Sequence, residues 1–183
     1  MRPAAILASA ASAGLLLTAA SPALALSGQC FWDQLEPATR GALVNGYQQQ
    51  GPQVLDRVFV SDRELRAIDE QCGAGSAPGE LKDRLLAAVV FEHGSAVFLK
   101  GWLHWDDGAI QDGWSRLGAE ELGVLRRQAD AVLSGAPPSD VDLSGAVGSF
   151  LARDPTGEDP GLIDQVRGYL TSRAMREAIE RRG

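Results

Sequence analysis

The sequence has few of the residues that usually carry enzyme chemistry. It contains two histidines and two cysteines among 183 residues. It has no GxSxG nucleophile motif, no HExxH metal motif and no glycine-rich phosphate loop. A straight helix places His93 and His104 about 16 Å apart, too far to bind one metal ion. These absences argue against metal, covalent-nucleophile and nucleotide-dependent enzymes, and we predict no metal and no cofactor.

Cys30 and Cys72 are the two cysteines. They form no CxxC pair and neither lies beside a basic cluster, so a reactive or redox-active thiol is not indicated. An even number of cysteines in an exported chain predicts one disulfide bond. Closing a loop of about 43 residues restricts the unfolded chain by roughly 4 kcal/mol in the chain-entropy model. We therefore predict a structural Cys30–Cys72 bridge.

The first 25 residues are typical of a secretory signal peptide. Arg2 precedes an apolar run over 4–20, and the triplet ending at Ala25 fits the small-x-small cleavage rule. A membrane-anchoring helix is an alternative, but the run is short. A lipid anchor on Cys30 is another, but the residue before it is not small. We expect one all-α domain over 26–183, periplasmic or secreted, with no membrane insertion after the signal is removed.

The charge of the chain restricts its partners. The formal net charge is −7, which disfavours binding to nucleic acid or to an anionic membrane surface. Five arginines lie from Arg167 onward. We interpret them as cations that stabilise the C-terminal end of the last helix through its dipole. No nucleic-acid partner is predicted.

The segment 80–105 is apolar on nearly every side when it is wound as a helix. One stripe contains Leu85, Val89, Glu92, Ala96, Leu99 and Leu103, and the other side contains Phe91, Phe98, Trp102 and Trp105. Such a helix is covered all round by protein or by lipid, and the interior Glu92, His93 and Lys100 argue against lipid. We predict a compact all-α multi-helix bundle around this central helix.

Proline, glycine and capping residues divide the remaining chain into helices. A capping box, Ser61 to Glu64, begins one of them, and Gly73 is expected to end it. The other predicted helices are 37–50, 52–58, 109–117, 119–134, 141–152 and 160–182. A strand over 140–143 is the alternative for the start of 141–152, because polar and apolar residues alternate there.

Glu92 interrupts the apolar stripe of the central helix. No residue three or four positions away from it is cationic, so any ionic partner has to come from another helix. One hypothesis is a desolvated general acid with a raised pKa. The other is a buried ion pair that determines packing, with Arg40, Arg66 or Arg126 as example partners.

Three of the four tryptophans lie within thirteen residues, together with acidic side chains. The cluster consists of Trp102, His104, Trp105, Asp106, Asp107, Asp112 and Trp114. Indole rings beside carboxylates suit stacking on a sugar, and two carboxylates at the right separation permit glycoside hydrolysis. The alternative is that these tryptophans belong to the core. Trp102, Trp105 and Trp114 are the candidate ligand-binding residues.

Two functions follow as hypotheses, with a metal or redox role as a third possibility that metal analysis of the purified protein would test. The first is an exported, soluble, non-catalytic protein that binds an unknown protein or polymer of the bacterial cell envelope. The second is a small envelope hydrolase, acting on a glycan or a peptide, that uses Glu92 or the Asp106/Asp107 pair with His104. A hydrolase needs these acids to open into a pocket with the tryptophans, whereas a Glu92 sealed against an arginine argues for the first hypothesis.

Overall fold

The computed structural model describes residues 26–136, 141–152 and 159–182. Within these ranges all regular structure is helical and no strand occurs. The described residues 141–143 of the alternative strand are not in a strand. The predicted signal peptide over 1–25 lies outside the described residues. The predicted all-α class is therefore confirmed for the part of the chain that the structure describes.

The described chain forms eight α-helices, joined in places by short 3-10 turns. They are α1 (Gly28–Gln34), α2 (Pro37–Gln50), α3 (Asp62–Gln71), α4 (Gly79–Leu103), α5 (Asp107–Ser115), α6 (Ala119–Leu133), α7 (Ser144–Leu151) and α8 (Pro160–Glu180). Two 3-10 helices cover Gly51–Asp56 and Ala74–Ser76. The first of these replaces most of the predicted helix 52–58.

Local side-chain chemistry determines several helix ends. The Ser61 hydroxyl accepts a hydrogen bond from the Glu64 amide, and the Glu64 carboxylate accepts from the Ser61 amide at 2.8 Å, as the capping box predicts. Gly73 follows α3 in the left-handed conformation, with φ 70°. These ends are set within a few residues, which explains why the sequence predicts them well.

Helix α4 is the centre of the bundle. It packs mainly against α8 and α2, and also against α1 and α5. Its N-terminal half shares a core with α1–α3 that includes Phe31, Leu43 and Ile68. Its C-terminal half shares a second core with α5–α8 that includes Phe150 and Leu170. Both cores thus meet on one helix.

Two details of the central helix differ from the prediction. The helix ends at Leu103 rather than near residue 105, because His104 adopts a left-handed backbone with φ 55°. It is also not covered all round, since Val97 is 39% and Trp102 is 48% exposed. In the described part of the chain, α4 is the one helix whose length and composition would allow it to cross a membrane. The central helix of a bundle shares these properties.

The predicted disulfide is confirmed. Cys30 in α1 is bonded to Cys72, the residue that follows α3, with their Cα atoms 5.5 Å apart. The bridge holds the start of the described chain onto the third helix. A disulfide-bonded pair of this kind is compatible with an extracellular location.

Candidate functional site

A polar cleft opens where α1, α4, α5 and α8 meet. Its volume is about 270 Å³. The polar residues that line it are Gln29, Glu92, His93, Asp107, Gln111, Tyr169, Arg173 and Arg176. Two of the predicted candidates, Glu92 and Asp107, are therefore on its wall. Convergent polar groups in a concave site can orient a bound ligand, so this cleft is the candidate functional site.

Glu92 forms a two-point ion pair with an arginine of α8. Its two carboxylate oxygens accept from Nε and Nη2 of Arg176 at 2.6 and 3.2 Å. Arg176 also donates through Nη1 to Glu180 at 2.9 Å. Burial alone lowers the pKa of Arg176, but the hydrogen bonds and charges of Glu92 and Glu180 hold it above its ordinary value. The Glu92 carboxylate is thus paired with a guanidinium that stays positively charged.

The arginine that pairs with Glu92 is not one of the three named from the sequence. It belongs to the group of C-terminal arginines that we interpreted as dipole-stabilising cations. That interpretation is wrong for Arg173 and Arg176, because both lie inside α8 and their side chains are only 13% and 19% exposed. Tyr169, Arg173, Arg176 and Glu180 follow each other at intervals of three or four residues. This spacing puts them on one face of α8. It is the feature of the sequence from which these site residues could have been predicted.

Arg173 is held in place by four groups. Its Nη1 donates to the Gln111 amide oxygen and to the Tyr169 hydroxyl, both at 2.9 Å, and its Nε lies 3.3 Å from Glu177. The guanidinium also lies 4.4 Å from the centre of the Trp114 ring, within range of a cation–π interaction. Burial raises the pKa of Tyr169. Arg173 therefore joins α5 to α8 at the edge of the cleft.

The two histidines have different surroundings. The His93 ring stacks on Trp32 of α1, with ring centres 4.0 Å apart and planes within 8°. Burial, together with the positive charges of Arg176 and Lys100, lowers the pKa of His93 to about 4, so its imidazole is neutral at pH 7. His104 is exposed at the end of α4 and does not line the cleft.

The two adjacent aspartates have structural contacts. Asp106 precedes α5 and accepts from the Ala109 amide at 2.8 Å, so it caps that helix. Asp107 lies 2.6 Å from the ammonium of Lys100, and its side chain is 87% exposed. Asp107 lies on the cleft wall with Glu92, whereas Asp106 does not.

The three candidate tryptophans lie in three different environments. Trp105 packs near Phe150 in the second core, with ring centres 5.6 Å apart. Trp114 lies under Arg173. Trp102 stacks on Phe98 at 5.3 Å and is about half exposed. We call the surface formed by Phe98 and Trp102 the aromatic ledge.

In the described ranges, no three or more His, Cys, Asp or Glu side chains are grouped so that they could hold a metal ion. The chain matches no protein-family model, no curated protein and no solved structure.

Proposed function

We propose that this protein is an exported, soluble, non-catalytic binding protein of the bacterial cell envelope, and that it contacts its partner through the aromatic ledge. The features of residues 1–25 and the Cys30–Cys72 disulfide support an envelope or secreted location. The partner is an envelope protein that presents an apolar surface.

The observation that carries the proposal is the exposed indole of Trp102. It is 48% exposed although it lies on the central helix of the bundle, and it rests on Phe98, one turn earlier. Tryptophan is enriched among the residues that dominate the binding energy of protein interfaces. A stacked pair also holds the indole in one orientation, so less side-chain freedom is lost on binding.

The contacts of the candidate acids favour binding over hydrolysis. A glycoside hydrolase needs one protonated carboxylic acid and one carboxylate facing each other across the substrate. Glu92 is paired with Arg176 at 2.6 Å, Asp107 with Lys100 at 2.6 Å, and Asp106 caps α5. A carboxylate whose two oxygens are both hydrogen-bonded to a guanidinium is not free to face a substrate.

Charge supports a protein partner over an anionic polymer. The net charge of −7 repels a polyanion at moderate distance.

Site-specific photo-crosslinking tests this proposal. The full chain is expressed and exported with a photoreactive phenylalanine at position 102, or at position 59 as a matched control. Phe59 is 80% exposed and lies outside the ledge. We expect one dominant protein adduct from position 102. We expect position 59 not to crosslink to that protein. We also expect Trp102→Ala to reduce capture of that protein about tenfold, and Phe59→Ala to leave capture unchanged.

Three outcomes contradict the proposal. One is the absence of a specific adduct at position 102. Another is retention of the protein on purified cell-wall polymer that Trp102→Ala abolishes, which would identify a polymer as the partner. The third is hydrolysis of a glycan or peptide by the purified protein that Glu92→Gln abolishes, since this would establish the enzyme hypothesis.

A further inference from the structure

The polar cleft is distinct from the aromatic ledge. His93 on the cleft wall and Trp102 on the ledge are nine positions apart on α4. At 100° per residue, nine positions put two side chains on opposite sides of a helix. A partner bound at the ledge therefore leaves the cleft accessible, and the cleft needs an explanation of its own.

Each charged group that lines the cleft already has a partner of opposite charge. The pairs are Glu92 with Arg176, Arg173 with Glu177, and Asp107 with Lys100. A ligand with a net charge would have to separate one of these pairs or remain partly buried without a partner. An uncharged ligand has neither cost. The electrostatics of the walls therefore favour a neutral, polar molecule.

Several neutral groups at the cleft keep unused hydrogen-bonding capacity. His93 has no hydrogen-bond partner among the described residues, and its neutral ring offers one donor and one acceptor. The Gln111 oxygen accepts from Arg173, which leaves its amide N–H groups for a ligand. Gln29 donates to Asp33 at 3.0 Å, which leaves its amide oxygen. The Tyr169 hydroxyl accepts from Arg173 and can still donate. The uncharged groups of the cleft wall thus offer both hydrogen-bond donors and hydrogen-bond acceptors.

This mixture matches the hydroxyl groups of a sugar. Each hydroxyl both donates and accepts, and a sugar ring presents several of them side by side. The volume of about 270 Å³ corresponds to roughly nine water molecules, a space of the size that one sugar ring with its bound water occupies. We propose that the cleft of α1, α4, α5 and α8 binds an uncharged saccharide.

NMR titration of the purified, disulfide-bonded protein tests this inference. Glucose and N-acetylglucosamine are the neutral probes, and glucuronate and glucosamine are matched probes with one negative or one positive charge. We expect the neutral sugars to shift the side-chain amide signals of Gln29 and Gln111 with a Kd on the order of 1 mM. The charged sugars should bind at least about fivefold more weakly.

Variants assign the binding to the cleft. Gln111→Leu changes an exposed residue, and His93→Phe keeps an aromatic ring against Trp32 while removing both ring nitrogens. Each should weaken neutral-sugar binding about fivefold, which is the loss of one hydrogen bond. Gln53 is an exposed glutamine outside the cleft, and the Gln53→Leu variant is the control. It should bind the neutral sugars with the same affinity as the unaltered protein.

The inference is overturned if no neutral sugar shifts the cleft signals. It is also overturned if the charged sugars bind equally well or if Gln111→Leu binds with unchanged affinity. Trp102→Ala separates this inference from the proposed function, because that change should reduce partner capture about tenfold and leave sugar binding intact.

Discussion

Arg176 and Glu92 lie 84 positions apart in the sequence and form a two-point ion pair between α8 and α4, with contacts of 2.6 and 3.2 Å. Arg176 simultaneously binds Glu180, and the other carboxylate oxygen of Glu180 accepts from the Gly28 amide at 2.7 Å. One guanidinium therefore connects the central helix, the last helix and the beginning of α1.

Removing Arg176 should destabilise the protein strongly. Arg176→Met leaves Glu92 buried without its cation, and we expect a loss of about 3 kcal/mol in the free energy of unfolding. The double variant Glu92→Leu, Arg176→Met should recover most of that loss, because no unpaired charge remains. Urea unfolding monitored by circular dichroism measures both values. Arg126→Met, at an exposed position of α6, is the control. A loss below about 0.5 kcal/mol for Arg176→Met would show that the pair has no structural importance.

Two glycines of α4 should respond in opposite directions to the same substitution. A Cβ atom at Gly94 would lie 2.3 Å from the Tyr47 ring, whereas a Cβ at Gly101 has no neighbour within 4 Å. Gly94→Ala forces α2 away from α4 and should lower the free energy of unfolding by about 2 kcal/mol. Gly101→Ala should stabilise the helix by about 0.5 to 1 kcal/mol. Thermal unfolding compares the two variants, and destabilisation by Gly101→Ala would contradict the exposed position assigned to that residue.

Glu64 should contribute to stability in a pH-dependent way. Burial would raise its pKa, but hydrogen bonds from the Ser61 side chain, the Glu36 amide and the Ser61 amide lower it to about 2. Because the folded pKa lies below the unfolded value of 4.5, the contribution is complete above about pH 4.5 and is lost as the pH falls towards 2. Glu64→Gln should therefore lower the free energy of unfolding by about 2 kcal/mol at pH 7 and leave it almost unchanged at pH 2.

Urea unfolding at a series of pH values measures this difference. Glu70→Gln, at an exposed position of the same helix, provides the comparison. A cost of Glu64→Gln that does not change between pH 7 and pH 2 would mean that the charge of Glu64 has no role in the cap.

His93 should make the protein less stable in mild acid. Its pKa is lowered from 6.5 to about 4, first by burial and then by the charges of Arg176 and Lys100. Above pH 6.5 the imidazole is neutral in both the folded and the unfolded chain. Between pH 6.5 and 4 the unfolded chain binds a proton that the folded chain excludes, so stability falls as the pH falls, by up to about 3 kcal/mol.

Proton NMR of the imidazole should give a titration midpoint near pH 4 for His93, with the signal assigned by a His104→Asn variant. His93→Phe keeps the stack on Trp32 and should remove this part of the pH dependence. The stability of His93→Phe is compared with that of the unaltered protein between pH 6.5 and 4. An equally steep loss of stability in both proteins would contradict the burial of a neutral imidazole.

The helices and their ends were predictable to within a few residues in most cases. Pro37, Ser61 and Gly73 act on their own neighbourhoods, so the sequence around each is sufficient to place a helix end. The end of the central helix was predicted too late, because the left-handed backbone of His104 lies at a residue that is not glycine. The disulfide was predictable because the chain has only two cysteines.

The candidate site was predictable only in part. The sequence correctly indicated that the partner of Glu92 must come from another helix, but it did not identify Arg176. It also placed three tryptophans close together in the chain, while the structure separates Trp102 on the surface from Trp105 in the core. Closeness along the chain did not lead to a shared surface, because α4 ends before Trp105 and the chain changes direction there.

The sequence by itself determined the helical class, several helix ends such as the start at Ser61, and the pairing of Cys30 with Cys72, because turn residues, caps and a single cysteine pair act locally or without alternatives. Only the tertiary structure decided that Arg176 neutralises Glu92, that Trp32 covers His93, and that Trp102 remains exposed. These contacts depend on how α1, α4 and α8 are rotated against one another. That rotation results from the packing of whole helix faces, and no short stretch of the chain encodes it.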